Sequence, residues 1–231
     1  MYQLSHIQIK VEKIQQGVAD FEAMGFAVER GGRKSRNAFI WFEQGPFIEL
    51  LEMHRKDIVF APIFGLAYGG AMYGRWQKWC TKGEGMIDFA LEPSDPYRIH
   101  INHFEEVREE AHKMELKPSK VITWSRKNIK GNKVRFSYLP VLPQSLPFLV
   151  SAYDVPQRPK RVVHGNAATR IIYINVSCKE QELKAFEKLA KHDPSIRLRA
   201  GEGFKINSIG ITGIKQELPK CLLHNAVIER V

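Results

Sequence analysis

The chain has 231 residues, 44% of them hydrophobic, enough for one large packed domain or two small ones. Thirty-five basic residues against twenty-five acidic ones leave a net charge of +10, which attracts anionic partners at long range; the absence of an arginine-rich tract or zinc-finger spacing argues against nucleic acid as that partner. Cys80, Cys178 and Cys221 have no C-x-x-C pairing, which excludes a disulfide framework or a zinc knuckle and points to a reducing, cytoplasmic setting, and no signal peptide is expected ahead of residue 4.

Residues 4–11 alternate apolar and polar side chains and read as a strand. Ile14, Val18, Phe21 and Met24 follow at helical spacing, with Gly25 as the stop signal. Residues 26–28, 38–42 and 47–53 supply three more strands, separated by the turn-prone Gly31, Gly32 and Asn37. Arg33, Lys34 and Arg36 read as an exposed basic turn. The first unit is therefore β-α-β-β-β.

Residues 54–84 form an insert. Within it, residues 58–74 carry no charge but contain Pro62, Gly65, Gly69, Gly70 and Gly74, and they fall short of the roughly 20 apolar residues a membrane span needs. A loop and helix are expected, with Ile63, Leu66, Trp76 and Trp79 covering the open side of a sheet, either as a movable lid or as a fixed cover.

A second unit begins near Gly85. Residues 86–91 read as a strand, and residues 103–116 as a helix with Phe104, Val107, Ala111 and Met114 on its apolar stripe. Residues 121–124, 134–138 and 147–153 read as strands, with Lys130, Gly131 and Asn132 as the turn between the first two. The β-α-β-β-β order has repeated, which is itself evidence of a modular fold. Pro156, Arg158, Pro159, Lys160 and Arg161 mark a linker. A strand at 171–176, a helix at 182–192 closed by Asp193 and Pro194, and strands at 196–198, 206–214 and 227–228 then suggest a third, incomplete copy of the module packed on the first two. The expected organisation is paired modules over 1–154, with the insert at 54–84, and an additional C-terminal unit over 155–231.

This order, with His6 in the first strand of module one and Glu49 in the last, resembles the vicinal oxygen chelate superfamily and, within it, the glyoxalase-like domain proteins. The resemblance extends through residues 83–91 and 146–150, through Arg158 and Pro159, and through the run His164, Gly165, Asn166 and Ala167. It implies an α+β fold in which two β-α-β-β-β modules curl into a half-barrel of the glyoxalase, bleomycin-resistance and dioxygenase type. It also implies metal ligands on the first and last strands of each module. In module one these are His6 and Glu49, suited to iron, manganese, nickel or zinc. In module two Met86 stands opposite His6, and Val150 or Ser151 opposite Glu49, where the family has ligands. His164 is either a third ligand and acid-base group beside Glu49, or a loop histidine bonded to backbone.

Trp41, Trp124, Tyr138 and Phe148 are expected on the inner face with Glu49, lining a ligand pocket or simply filling a core. Arg135 either pairs with an acidic substrate or stands exposed on its strand. His103, Glu106 and Glu110 share one side of their helix but lie off its apolar stripe, so they read as its solvated face rather than a metal site. No G-x-S-x-G, Walker A or Rossmann glycine pattern is present. Two function classes follow from the resemblance: a metal-dependent lyase, isomerase or dioxygenase acting on a small oxygenated, anionic molecule, or a metal-free binding protein that sequesters one. The expected partner is a small molecule rather than a membrane, and a homo-oligomer is left open.

Overall fold

Strand β1 (Tyr2–Val11) divides its side chains between two buried environments. Ile7, Ile9 and Val11 enter the main core, while His6, Gln8 and Lys10 are buried on the opposite face. Helix α1 (Ile14–Ala23) covers the first face with Ile14, Val18 and Phe21. The N-terminal donor at Ile14, which the helix leaves unpaired, is taken by the Glu52 carboxylate at 2.8 Å, where negative charge also complements the helix dipole. Gly25, with φ of +83°, ends the helix, and Phe26 N–H donates back to the Phe21 carbonyl at 3.1 Å. Strands β2 (Glu29–Arg30), β3 (Asn37–Ile40) and β4 (Phe47–Glu52) complete module one, and β4 runs parallel to β1 with Gln8 directly beside Glu49. The computed structural model describes residues 1–32 and 34–231. Arg33 of the expected basic turn lies outside the described residues.

The insert folds as a 3-10 turn at Arg55–Phe60, then α2 (Ala61–Tyr68) and α3 (Gly70–Thr81). Ile63 and Leu66, expected to cover the sheet, are instead 61% and 90% exposed; Met72, Phe64, Trp76 and Trp79 do the covering. The reason is electrostatic. Arg75, fully buried, donates to both oxygens of Asp88 at 2.9 and 2.8 Å, Lys78 to one at 3.0 Å, and Trp79 Nε1 to the other at 2.7 Å. These bonds choose which face of α3 turns inward. Lys10 Nζ donates to the carbonyls of Trp79, Cys80 and Lys82 at the end of α3, satisfying acceptors the helix leaves free. The insert is thus a cover tied to the sheet through the middle and the C-terminal end of α3.

Module two comprises β5 (Gly85–Pro93), α4 (Phe104–Lys113), β6 (Lys117–Pro118), β7 (Ile122–Lys127), β8 (Lys133–Leu139), β9 (Val141–Leu142) and β10 (Phe148–Val150). β6 and β9 pair as a separate ribbon. The other strands join module one in a curled eight-stranded half-barrel of order β2-β3-β4-β1-β5-β10-β8-β7. Its centre is the antiparallel β1/β5 pair, flanked on each side by a parallel partner, β4 and β10. The protein is α+β, as the repeated pattern implies, and no helix among the described residues is long and apolar enough to cross a membrane.

The C-terminal segment differs from a third module. β11 (Arg170–Cys178), α5 (Glu180–Ala190), β12 (Ile196–Ala200), β13 (Lys205–Thr212) and β14 (Ile228–Arg230) form a four-stranded sheet of order β12-β11-β13-β14. The strand after the helix pairs directly and in parallel with β11, a β-α-β crossover, whereas in module one the parallel partner of β1 is the last strand. This sheet shares the main core with both modules. Phe89 of β5 stacks on Phe186 and Phe204, and Leu4 N–H donates to Asp193. The supposed linker is tied down through Arg158, which donates to the carbonyls of Phe42 and Gly45, and just beyond it Asn166 Nδ2 donates to the Met24 carbonyl at 2.9 Å and its backbone N–H to Gly25.

Candidate functional site

The concave face of the half-barrel, roofed by α3, encloses a cavity of about 440 Å³. Strand alternation supplies its floor: His6 and Gln8 from β1, two residues apart on one face, and Glu49 from β4, paired with Gln8. Aromatic rings supply its walls, among them Trp41, Phe47, Trp124, Tyr138 and Phe148.

The hydrogen bonds at the floor determine the state of His6. Ser5 Oγ donates its one proton to Glu92 at 2.8 Å, so it accepts from His6 Nδ1–H at 3.3 Å. Nε2 then carries a lone pair. That atom faces Glu49 Oε2 at 3.6 Å without a hydrogen bond between them. Burial lowers the His6 pKa below its ordinary value, against the opposing pull of Glu49 and Asp88, so the ring is neutral at neutral pH. Glu49 is held from both sides, by Asn37 Nδ2 at 2.8 Å on Oε1 and by Gln8 Nε2 at 2.9 Å on Oε2. The remaining atom of that amide, Gln8 Oε1, is buried without a partner. An imidazole nitrogen, a carboxylate oxygen and an amide oxygen are thus assembled at the floor, and Nε2 and Oε1 lack donors. This donor set fits a divalent cation, which would repay the burial of those acceptors.

Other residues marked in the sequence lie elsewhere. His164 is outside the cavity: its Nδ1 accepts from Ala27 N–H at 2.9 Å and its Nε2 donates to the Trp41 carbonyl at 3.0 Å. Both nitrogens are committed to backbone, so the expected ligand and acid-base role is replaced by a structural one. Its pKa is lowered by burial, opposed by the bond to Trp41. Arg135 does not line the cavity; it is exposed and pairs with Asp154 at 2.8 Å. Met86 pairs with Ile9 and leans on the main core, and the residue laterally beside His6 is Ala90. Module two therefore lines the cavity with Phe148, Val150 and Glu92, whose carboxylate is taken up by Gln3 and Ser5, and among the described residues no group of three metal-binding side chains forms around His6 and Glu49. His103 bonds Glu106 at the surface of α4.

Four participants have little signature in the sequence. Gln8 reads as the polar half of an alternating strand. Ser5 and Glu92 are ordinary strand residues until the β1/β5 ladder brings them together. Arg158, read as part of a linker, lines the cavity and donates to the carbonyls of Phe42 and Gly45.

A family model described as a glyoxalase-like domain matches residues 4–192. No curated protein matches the chain. Among solved structures, a hypothetical protein from Staphylococcus aureus aligns over 100% of both chains at 15% identity, with a TM-score of 0.67. A Mn(II)-bound glyoxalase from Novosphingobium aromaticivorans aligns over 92% of this chain and 66% of its own at 10% identity, with a TM-score of 0.55. An extradiol ring-cleaving dioxygenase from B. fuscum aligns over 92% of this chain and 57% of its own at 10% identity, with a TM-score of 0.51. The chain thus spans about two thirds or less of the length of those two enzymes, and at such identities the likeness is one of fold.

Proposed function

The chain belongs to the glyoxalase-like domain family, and on that premise we propose that its cavity is the active site of a metal-dependent lyase, isomerase or dioxygenase acting on a small oxygenated molecule. The observation that carries the reading is the trio of acceptors at the floor: His6 Nε2 and Glu49 Oε2 face each other at 3.6 Å beside the orphaned Gln8 Oε1. Gln8 Oε1 is buried without a donor and His6 Nε2 takes none from the protein, and two such acceptors beside a carboxylate are costly unless a cation is shared among them. His6, Glu49 and Gln8 would hold the metal, which supplies Lewis acidity toward a substrate oxygen or a bound water.

The chain's own groups set the stage for that chemistry. Ser5, itself bonded to Glu92, fixes the His6 tautomer through Nδ1, the second-sphere arrangement that orients a ligating imidazole. Asn37 and Gln8 hold the Glu49 carboxylate in one rotamer, so its oxygens are positioned to take a proton from a substrate carbon or hydroxyl. The aromatic walls keep the floor dry and so strengthen its electrostatics.

The second reading, a metal-free binding protein, is favoured by the apolar Phe148 and Val150 that module two brings to the cavity and by the engagement of its Glu92 with Gln3 and Ser5, which leave the ligand set to module one alone. Equilibrium dialysis against manganese, nickel and zinc separates the two. The account expects about one metal per chain, lost in His6→Ala and Glu49→Ala and kept in His103→Ala. No retained metal in the wild type, or undiminished retention in the first two variants, would decide for the binding protein.

A further inference from the structure

All four tryptophans of the chain, Trp41, Trp76, Trp79 and Trp124, line this one cavity. On one wall the rings form a continuous run from floor to rim. Phe47 lies on His6 at 4.7 Å with planes 22° apart, Trp41 follows at 4.3 Å from Phe47, and the Arg158 guanidinium lies 5.6 Å from the Trp41 ring centre. The facing wall begins with Phe148, edge-on to His6 at 5.5 Å, and continues to Tyr138. Two ring-lined walls make a slot whose quadrupolar faces suit a flat unsaturated ligand better than a branched aliphatic one.

Charge at the rim supplies the second half of the argument. Arg158 is the one Lys or Arg among the residues lining the cavity. Both of its hydrogen bonds go to backbone carbonyls, and a guanidinium with five N–H groups retains donors after them. It makes no ion pair among the described residues; Glu92, the carboxylate that acts on it at longer range, already accepts from Gln3 and Ser5. A half-buried cation of this kind is under-solvated and gains from an anion that brings its own bidentate oxygens. A single arginine with a nearby glutamate matches one negative charge rather than a phosphate dianion.

We infer that the cavity selects a planar aromatic carboxylate, its ring held between the Trp41–Phe47 wall and the Phe148–Tyr138 wall and its carboxylate by Arg158. This rests on the cavity being a small-molecule site and does not depend on the metal.

The tryptophans provide the readout. Their fluorescence is titrated with salicylate and with its neutral analogue salicylamide, in chelator-treated and manganese-loaded protein, with N-acetyltryptophanamide correcting for absorption. Cyclohexanecarboxylate and benzyltrimethylammonium are added as competitors. Saturable quenching by salicylate is expected, with salicylamide weaker by about tenfold or more, as loss of one charge-assisted contact implies. Both competitors should be poor. Arg158→Gln should bring salicylate down to the level of salicylamide and leave salicylamide unchanged, while Arg158→Lys keeps part of the preference. Equal binding of acid and amide, equal loss of both in Arg158→Gln, or stronger competition by the aromatic cation or the aliphatic acid would each overturn the inference. Quenching in chelator-treated protein that retains no metal would leave this inference standing while the metal-dependent reading fell; metal retention without quenching would do the reverse.

Discussion

His6 and His164 show how two histidines of similar promise come to opposite ends. Both are buried, and burial lowers the pKa of both. His164 has its nitrogens bonded to Ala27 N–H and the Trp41 carbonyl, whereas His6 keeps Nε2 free beside Glu49. His164→Ala should therefore strand one backbone donor and one acceptor and destabilise the fold by about 1–3 kcal/mol for each group left buried without a partner. Metal content should be unchanged. Thermal unfolding with parallel metal analysis checks this; a variant of wild-type stability that loses metal would return His164 to the site. The sequence made His6 and Glu49 visible, because residues of ligating type sat on the first and last strands of a recognisable unit. It could not separate the two roles of His164, since they differ only in what its nitrogens meet in space. Gln8 was missed because an amide on an alternating strand looks like a solvent-facing residue, and only its orphaned oxygen marks it out.

At the level of elements, the insert depends on one carboxylate. Asp88 is fully buried; burial alone would raise its pKa, yet Arg75 and Lys78 together hold it below the usual carboxylate range. One carboxylate cannot neutralise two buried cations, and the penalty falls on Lys78, whose pKa burial pushes down to about 7 despite Asp88. Arg75→Met should cost about 3–5 kcal/mol by removing the bidentate partner of a buried charge. Lys78→Met should cost much less near neutral pH. Its stability relative to the wild type should also depend on pH. Between about 7 and the ordinary lysine value the unfolded chain binds the proton and the native chain does not, so wild-type stability rises with pH across that window and falls as pH is lowered toward 7. Denaturant titrations of both variants at several pH values test this, and a flat wild-type-minus-variant difference would contradict it. The helices of the insert were legible as a cover, but not their orientation: Ile63 and Leu66 looked inward by hydrophobicity, and the buried Arg75 overruled them by pairing with Asp88.

Over the whole molecule, the two modules are alike in path and unlike in chemistry. Their strand pairings mirror each other across β1 and β5, and that much followed from the repeated β-α-β-β-β pattern. The C-terminal segment read as a third copy because element order repeats; strand pairing, which sequence order does not specify, made it a β-α-β sheet instead. The same asymmetry governs function. Module one gives His6, Gln8 and Glu49 to the cavity floor, and module two gives Phe148, Val150 and a Glu92 already held by Gln3 and Ser5, so a metal bound there would have one protein nitrogen in its shell. Pulsed electron paramagnetic resonance of the manganese-loaded protein counts that nitrogen directly. The account predicts coupling to a single histidine nitrogen that disappears in His6→Ala. Coupling to two nitrogens, to none, or to one that survives His6→Ala would place the metal somewhere other than the floor of this cavity.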